Sequence, residues 1–186
     1  MASAYLMRKL FSCVLLCLFS SIAHGAGSEE LRSFTNKNVG KVSLMAPRDW
    51  KPVERHSINF GTTFYRFQPS TDGEFDFEIL VNDLAHMEIG ALVDKDLERY
   101  IQSNMASAAP QSLEGKASVF RFVRQHDGVY ARLTDKAPKP GEFKLFTQGV
   151  RLQGQGVVLF TLYSNDKDGA ILKKALAVVE SLKFEQ

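Results

Sequence analysis

Beyond residue 25 this chain contains no cysteine. Its only two, Cys13 and Cys17, both fall in the first 25 of 186 residues. The remainder can therefore form no disulfide, thiolate nucleophile or cysteine metal site, and it must be held together by an ordinary apolar core. An excess of charge is missing as well. Of 23 basic residues, Arg8 and Lys9 lie in the first 25, which hold no acid, so 21 basic residues face 21 acidic ones afterwards. That balance excludes an electrostatic case for nucleic-acid binding, whose affinity rests on many Lys/Arg–phosphate contacts. Long apolar runs are absent too. The longest, residues 10–19, falls well short of the roughly 20 residues that a membrane-spanning helix needs. No G-x-S-x-G elbow is present to raise a serine nucleophile. The pair Gly154-x-Gly156 is not followed by a helix and reads as a turn, not a phosphate cradle.

What the first 25 residues do contain is an export signal. A basic start (Arg8, Lys9), a short apolar run, and Ala23-His24-Gly25 with small residues at the −3 and −1 positions form a cleavable secretory leader. Leu16 before Cys17 and the near absence of an apolar run before Cys13 fit lipidation poorly. Cleavage leaves 161 residues starting near Ala26, expected in the periplasm or secreted. That length suits a single domain burying about 70% of its unfolded surface.

The polar stretch 26–39 reads as a flexible lead-in to one domain spanning 40–186. Val42-Ser43-Leu44-Met45-Ala46-Pro47 alternates as a short strand, and Pro47-Arg48-Asp49-Trp50 turns the chain. Residues 60–68 put Thr63, Tyr65 and Phe67 on one side and Phe64 and Arg66 on the other. After the turn Ser70-Thr71-Asp72-Gly73, Phe75, Phe77, Ile79 and Val81 alternate with Asp76, Glu78, Leu80 and Asn82. This predicts a β-hairpin.

Leu97, Tyr100, Ile101 and Met105 fall at helical spacing over 94–108, with Asp94 and Asp96 in the first turn and Pro110 closing the helix. Four strands at 117–125, 129–136, 142–152 and 156–164 are joined by short Gly-containing segments and predict an antiparallel meander. The last of them, Val157-Val158-Leu159-Phe160-Thr161-Leu162-Tyr163, is apolar on both faces, which places it centrally under helices on both sides. A final helix capped by Asn165 or Asp166 carries the stripe Ile171, Ala175, Val178, Val179 and Leu182.

This order resembles the PsbP-like α/β/α sandwich family, which includes the photosystem II extrinsic protein and DcrB-type bacterial periplasmic proteins. The residues that carry the resemblance are Leu44-Met45-Ala46-Pro47-Arg48-Asp49-Trp50, Asp96-Leu97-Glu98-Arg99-Tyr100 and Val179-Glu180-Ser181-Leu182-Lys183-Phe184. It implies an α+β fold: an α/β/α sandwich with a largely antiparallel central sheet of about six or seven strands and two main helices. It also implies an accessory or binding protein without chemistry of its own. No residues match a metal site of the photosynthetic members, so no cofactor is expected.

Several constellations bear on chemistry. His56, His86 and His126 lie in expected loops without i, i+4 or H-x-H spacing, so a metal site would need tertiary assembly. His56-Ser57 near Asp49 or Glu54 leaves a hydrolase as an alternative reading. Asp76 and Glu78 share a strand face and read as a solvated polar face. The binding candidates are basic and aromatic: Arg66, Arg121, Arg124, Arg132 and Tyr130, with Lys144, Arg151, Tyr65, Phe120, Phe122 and Phe146 nearby in the pattern. Arg and aromatic side chains dominate interface energetics, although strand aromatics are first of all packing residues, and Trp50 reads as a core plug. The expectation is an exported, non-catalytic protein that recognises a protein partner, an envelope component, and has no integral membrane span, with peripheral membrane association left open. The alternatives are a small-ligand or lipid carrier and a histidine-dependent hydrolase or metal protein.

Overall fold

The computed structural model describes residues 28–56, 62–69, 73–85, 94–122 and 127–185. The expected leader, His86, Arg124 and His126 lie outside these residues. Among the described residues ten strands and two main helices follow one another as β1 (Glu29–Asn36), β2 (Gly40–Pro47), β3 (Lys51–His56), β4 (Thr63–Gln68), β5 (Phe75–Asp83), α1 (Asp94–Met105), β6 (Ser118–Arg121), β7 (Gly128–Thr134), β8 (Leu145–Gln153), β9 (Gly156–Ser164), α2 (Ala170–Ser181) and β10 (Lys183–Glu185). Seven strands form one sheet in the order β3-β4-β5-β9-β8-β7-β6, antiparallel at every pairing. The α+β class follows directly from this order. The doubly apolar β9 is the central strand, as its composition requires. Its Val158, Phe160 and Leu162 join a core with α2, and its Val157 and Leu159 join a second core with α1. The helices therefore lie on opposite faces, completing the α/β/α layering.

Two expectations are corrected. The segment 26–39 is not a loose lead-in: Glu29–Asn36 is a strand paired with β2 along its whole length, from Glu29 opposite Pro47 to Asn36 opposite Gly40. With β10 on the other side of β2, it makes a three-stranded sheet that shares the α2 face of the molecule. A buried network fastens this layer to the main sheet. Asn36 Nδ2 donates to Thr63 Oγ1 at 3.0 Å and to the Val81 carbonyl at 3.1 Å. Its Oδ1 accepts from the amides of Asn38 and Val39. Every hydrogen-bonding site of this asparagine is used, which is what makes a polar side chain tolerable in a core. A polar lead-in and an edge strand look alike in sequence because solvent wets the outer face of both.

The second correction concerns α2. It begins at Ala170, after Gly169 at φ 75°, and not at Asn165 or Asp166. Asp166 still serves the helix from outside: its carboxylate accepts the amide of Ile171 at 2.6 Å, supplying an anion where the free N–H groups and the positive end of the dipole lie. At the other end the last turn has no basic residue of its own. Arg151 of β8 replaces it. Its Nη1 lies 2.8 Å from the Val179 carbonyl and 3.2 Å from those of Glu180 and Leu182, and its Nε faces both carboxylate oxygens of Asp127 at 3.2 Å.

Aromatic packing finishes the α2 face. Trp50, fully in the core, lies with ring centroids 4.6 Å from Phe75 and 5.7 Å from Phe77. Gly149 and Gly156 let rings lie flat on the sheet backbone: a methyl group at either would overlap the ring of Phe160 or Phe184 respectively.

Two outcomes are expected. Arg151→Met removes the guanidinium that binds the last α2 carbonyls and strands Asp127, so it should cost about 3 kcal/mol, read as a lower urea midpoint, with Arg151→Lys falling between it and the wild type. Glu114 gives a pH signature. Burial pushes its carboxyl up, but bonds from the Thr134 amide (2.9 Å) and hydroxyl (2.8 Å) outweigh that and hold it below its ordinary value. A depressed carboxylate stabilises above its unfolded pKa, and the contribution disappears as pH falls through the folded one. Glu114→Gln should thus unfold at lower urea than wild type near pH 7, with the gap closing as pH falls through the depressed folded pKa.

Candidate functional site

Residues directly opposite across paired strands share a sheet face. Tyr65 stands opposite Ile79, Ile79 opposite Phe160, Phe160 opposite Gly149, Gly149 opposite Tyr130, and Tyr130 opposite Phe120. These six make one row across the α2 face. Its middle is buried, but α2 packs over β5 and β9 and does not reach the β6 edge, so the row continues into the open. Phe120 is 45% exposed, and its ring stacks on Tyr130 with centroids 5.4 Å apart and planes 26° from parallel. Behind it Phe122 is buried, edge-on to Tyr130 at 5.7 Å and to Phe160 at 6.0 Å.

Between this aromatic end of the sheet and α2 lies a groove of about 380 Å³. Phe122 and Tyr130 form one wall, Leu172, Leu176 and Ala177 the other, and Lys173 and Glu180 flank it. Burial pushes the Tyr130 phenol above its ordinary pKa, Arg132 opposes the rise and Glu180 adds to it. Both charges therefore act at the groove. Its floor offers apolar surface and ring faces, with one cation, one anion and one phenol at its margins. Among the described residues neither histidine nor cysteine lines it. Beside it, β6 is the last strand of the sheet and pairs only with β7 among the described residues.

The five basic and aromatic candidates do not form one surface. Tyr130 and Arg132 belong to the groove face, Arg132 exposed. Arg66 follows Tyr65 and so points the other way, where Asp76 binds it through Nε–Oδ1 at 2.6 Å and a second, closer pair. That hydrogen bonding holds its guanidinium above the ordinary value. Arg121, one residue past Phe120, meets Glu98 of α1 at 2.7 Å on the opposite face. Arg124 lies outside the described residues. Arg151 is 0% exposed and serves α2; it offers nothing to a partner. Asp76 is an ion-pair partner and not simply a solvated carboxylate. His56 is the last residue of β3 and not a loop residue. Among the described residues no group of three His, Cys, Asp or Glu is placed to hold a metal ion, and no helix is long and apolar enough to cross a membrane.

The sequence reading missed the α2 half of the groove. Leu172 and Leu176 sit four apart, as Lys173 and Ala177 do, on a flank beside the main stripe. Only the position of the helix over β5 and β9 turns that flank into a wall.

No family model matches the chain, and no curated protein matches it. Among solved structures it is similar to the solution structure of cyanobacterial PsbP (CyanoP) from Synechocystis sp. PCC 6803, at 12% identity and a TM-score of 0.48 over 87% of this chain and 96% of that one. It is also similar to a crystal structure from Bacteroides thetaiotaomicron VPI-5482, at 16% identity and a TM-score of 0.48 over 83% of this chain. This chain spans 48% of the length of that protein. Activity has to be argued from the site.

Two substitutions separate the roles of adjacent rings. Phe120→Ser should leave the unfolding free energy, read from urea denaturation, within about 0.5 kcal/mol of wild type, whereas Phe122→Ala, two residues on, should cost about 3–4 kcal/mol.

Proposed function

We propose that the processed chain is an exported, non-catalytic accessory protein that recognises another protein of the cell envelope, and that the groove between α2 and the β6–β7 edge is its recognition surface. The observation that carries this reading is Phe120, a large ring left in solvent at the end of a core row and stacked on the half-buried Tyr130. Aromatic anchors beside a desolvated groove are the usual centre of binding energy in protein interfaces. Arg132 at the rim adds a side chain of the type enriched there. The terminal strand β6 offers a main-chain edge to which an extended segment of the partner can pair, with alternate side chains reaching the groove. The export half of the proposal rests on the leader: Arg8 and Lys9, the run 10–19, and Ala23-His24-Gly25.

The test is site-specific photo-crosslinking in the producing cell. A photoreactive residue at position 120 should yield one discrete adduct with an envelope protein, made on a chain whose mass corresponds to 161 residues. The same probe at Arg99, an exposed residue on the opposite face, should yield none. Tyr130→Ser should abolish the adduct without loss of native circular dichroism. Identical adducts from both positions, an unprocessed cytoplasmic chain, or a small apolar molecule retained in the groove in native mass spectrometry with no adduct would overturn the reading, the last in favour of a carrier.

A further inference from the structure

A second cavity, of about 370 Å³, lies on the other face of the sheet and is independent of the α2 groove. It opens where the C-terminal end of α1 and the 3₁₀ turn Ala109–Gln111 stand over the ends of β7, β8 and β9. One wall is aromatic. Tyr163 of β9 lies directly opposite Phe146 of β8, their rings 5.1 Å apart and 18° from parallel, and Phe143 stacks on Tyr163 at 6.2 Å and 29°. Tyr163 is 42% exposed, which is unusual for a ring in the middle strand of a sheet. The facing wall is polar. Asn104 ends the last full turn of α1, and Gln111 closes the 3₁₀ turn. No hydrogen bond engages either side-chain amide among the described residues. Lys144 and Asp135 add one ammonium and one carboxylate.

We infer that this cavity binds a neutral saccharide, a mono- or disaccharide or the end of a longer glycan. The composition selects the class. An apolar ligand would strip water from two unengaged amides and two charges without replacing their hydrogen bonds, which costs free energy. A simple anion would use Lys144 but meet Asp135 and a wall of rings. A sugar ring presents both kinds of surface at once: a C–H face that packs flat on an aromatic ring, and hydroxyls that both donate and accept. Carboxamides match those hydroxyls because each carries an acceptor oxygen and two donors. The volume stands at the lower end of the range for small-molecule sites, about 300–1,000 Å³, which limits the ligand to one or two rings.

The experiment is saturation-transfer NMR on the purified processed chain, with cellobiose and N,N′-diacetylchitobiose as probes. At least one should receive saturation on its ring C–H protons with a dissociation constant of about 1 mM or tighter. Tyr163→Ala should weaken that binding about tenfold, as should Asn104→Ala combined with Gln111→Ala, the loss of two hydrogen bonds. Phe120→Ser should leave it unchanged, which separates this site from the protein-recognition groove. If Tyr163→Ala loses native circular dichroism, the exposed amide double variant carries the test alone. Absence of transfer from both sugars at about 10 mM, well above the expected constant, would overturn the inference, as would transfer undiminished in the amide double variant.

Discussion

A single buried guanidinium holds the α2 layer in place. Arg151 is 0% exposed, and an ion placed there without partners would be intolerable. It is paid for in full by groups that need a cation: the last carbonyls of α2, which no further helical turn satisfies, and the carboxylate of Asp127 just before β7. One side chain therefore ties β8, the approach to β7 and the end of the terminal helix into one corner. Asp166 does the reciprocal service at the other end of α2. A 12-residue helix is marginal in isolation. This one is held by its apolar stripe and by two opposite charges, neither of which belongs to the helix.

Once α2 is pinned over β5 and β9, what remains uncovered follows from geometry. The cross-sheet row from Tyr65 to Phe120 starts under the small sheet and ends in water, because seven strands are wider than the helix and the small sheet together. On the opposite face α1 packs against β6, β7 and β8. There the ion pairs Arg66–Asp76 and Arg121–Glu98 occupy the polar positions of strands whose other side is core. The two cavities arise at opposite margins of this layering, one where α2 stops short of β6 and the other where α1 ends over β7–β9. They differ in chemistry for a local reason: the α2 flank presents Leu172, Leu176 and Ala177, while the end of α1 presents amides and hydroxyls.

The fold does not by itself select a ligand. What distinguishes this chain is the placement of Phe120, Tyr130 and Arg132 on one side and of Tyr163, Asn104 and Gln111 on the other. Both sets offer binding surface.

The sequence by itself determined the period-two and helical patterns, and with them most of the elements. The hairpin at Phe75–Val81, the meander, the central position of Val157–Tyr163 and the stripes of both helices were all legible, because burial of one face imposes a spacing that neighbouring residues reveal. It also confined both cysteines to the first 25 residues. Tertiary structure alone decided which arginines are near one another. Arg66 and Tyr130 lie on opposite faces because Tyr65, not Arg66, shares the cross-sheet row, and that depends on the register between strands far apart in the chain. Nor does local pattern tell a surface arginine from Arg151: a long cation alternating with apolar neighbours looks the same whether it faces water or the carbonyl end of a helix that begins nearly twenty residues later. The strand at Glu29–Asn36 escaped for a different reason: its partner β2 follows directly, but its wetted outer face reads like a loop, and the Asn36 bonds to Thr63 and Val81 come from segments far along the chain.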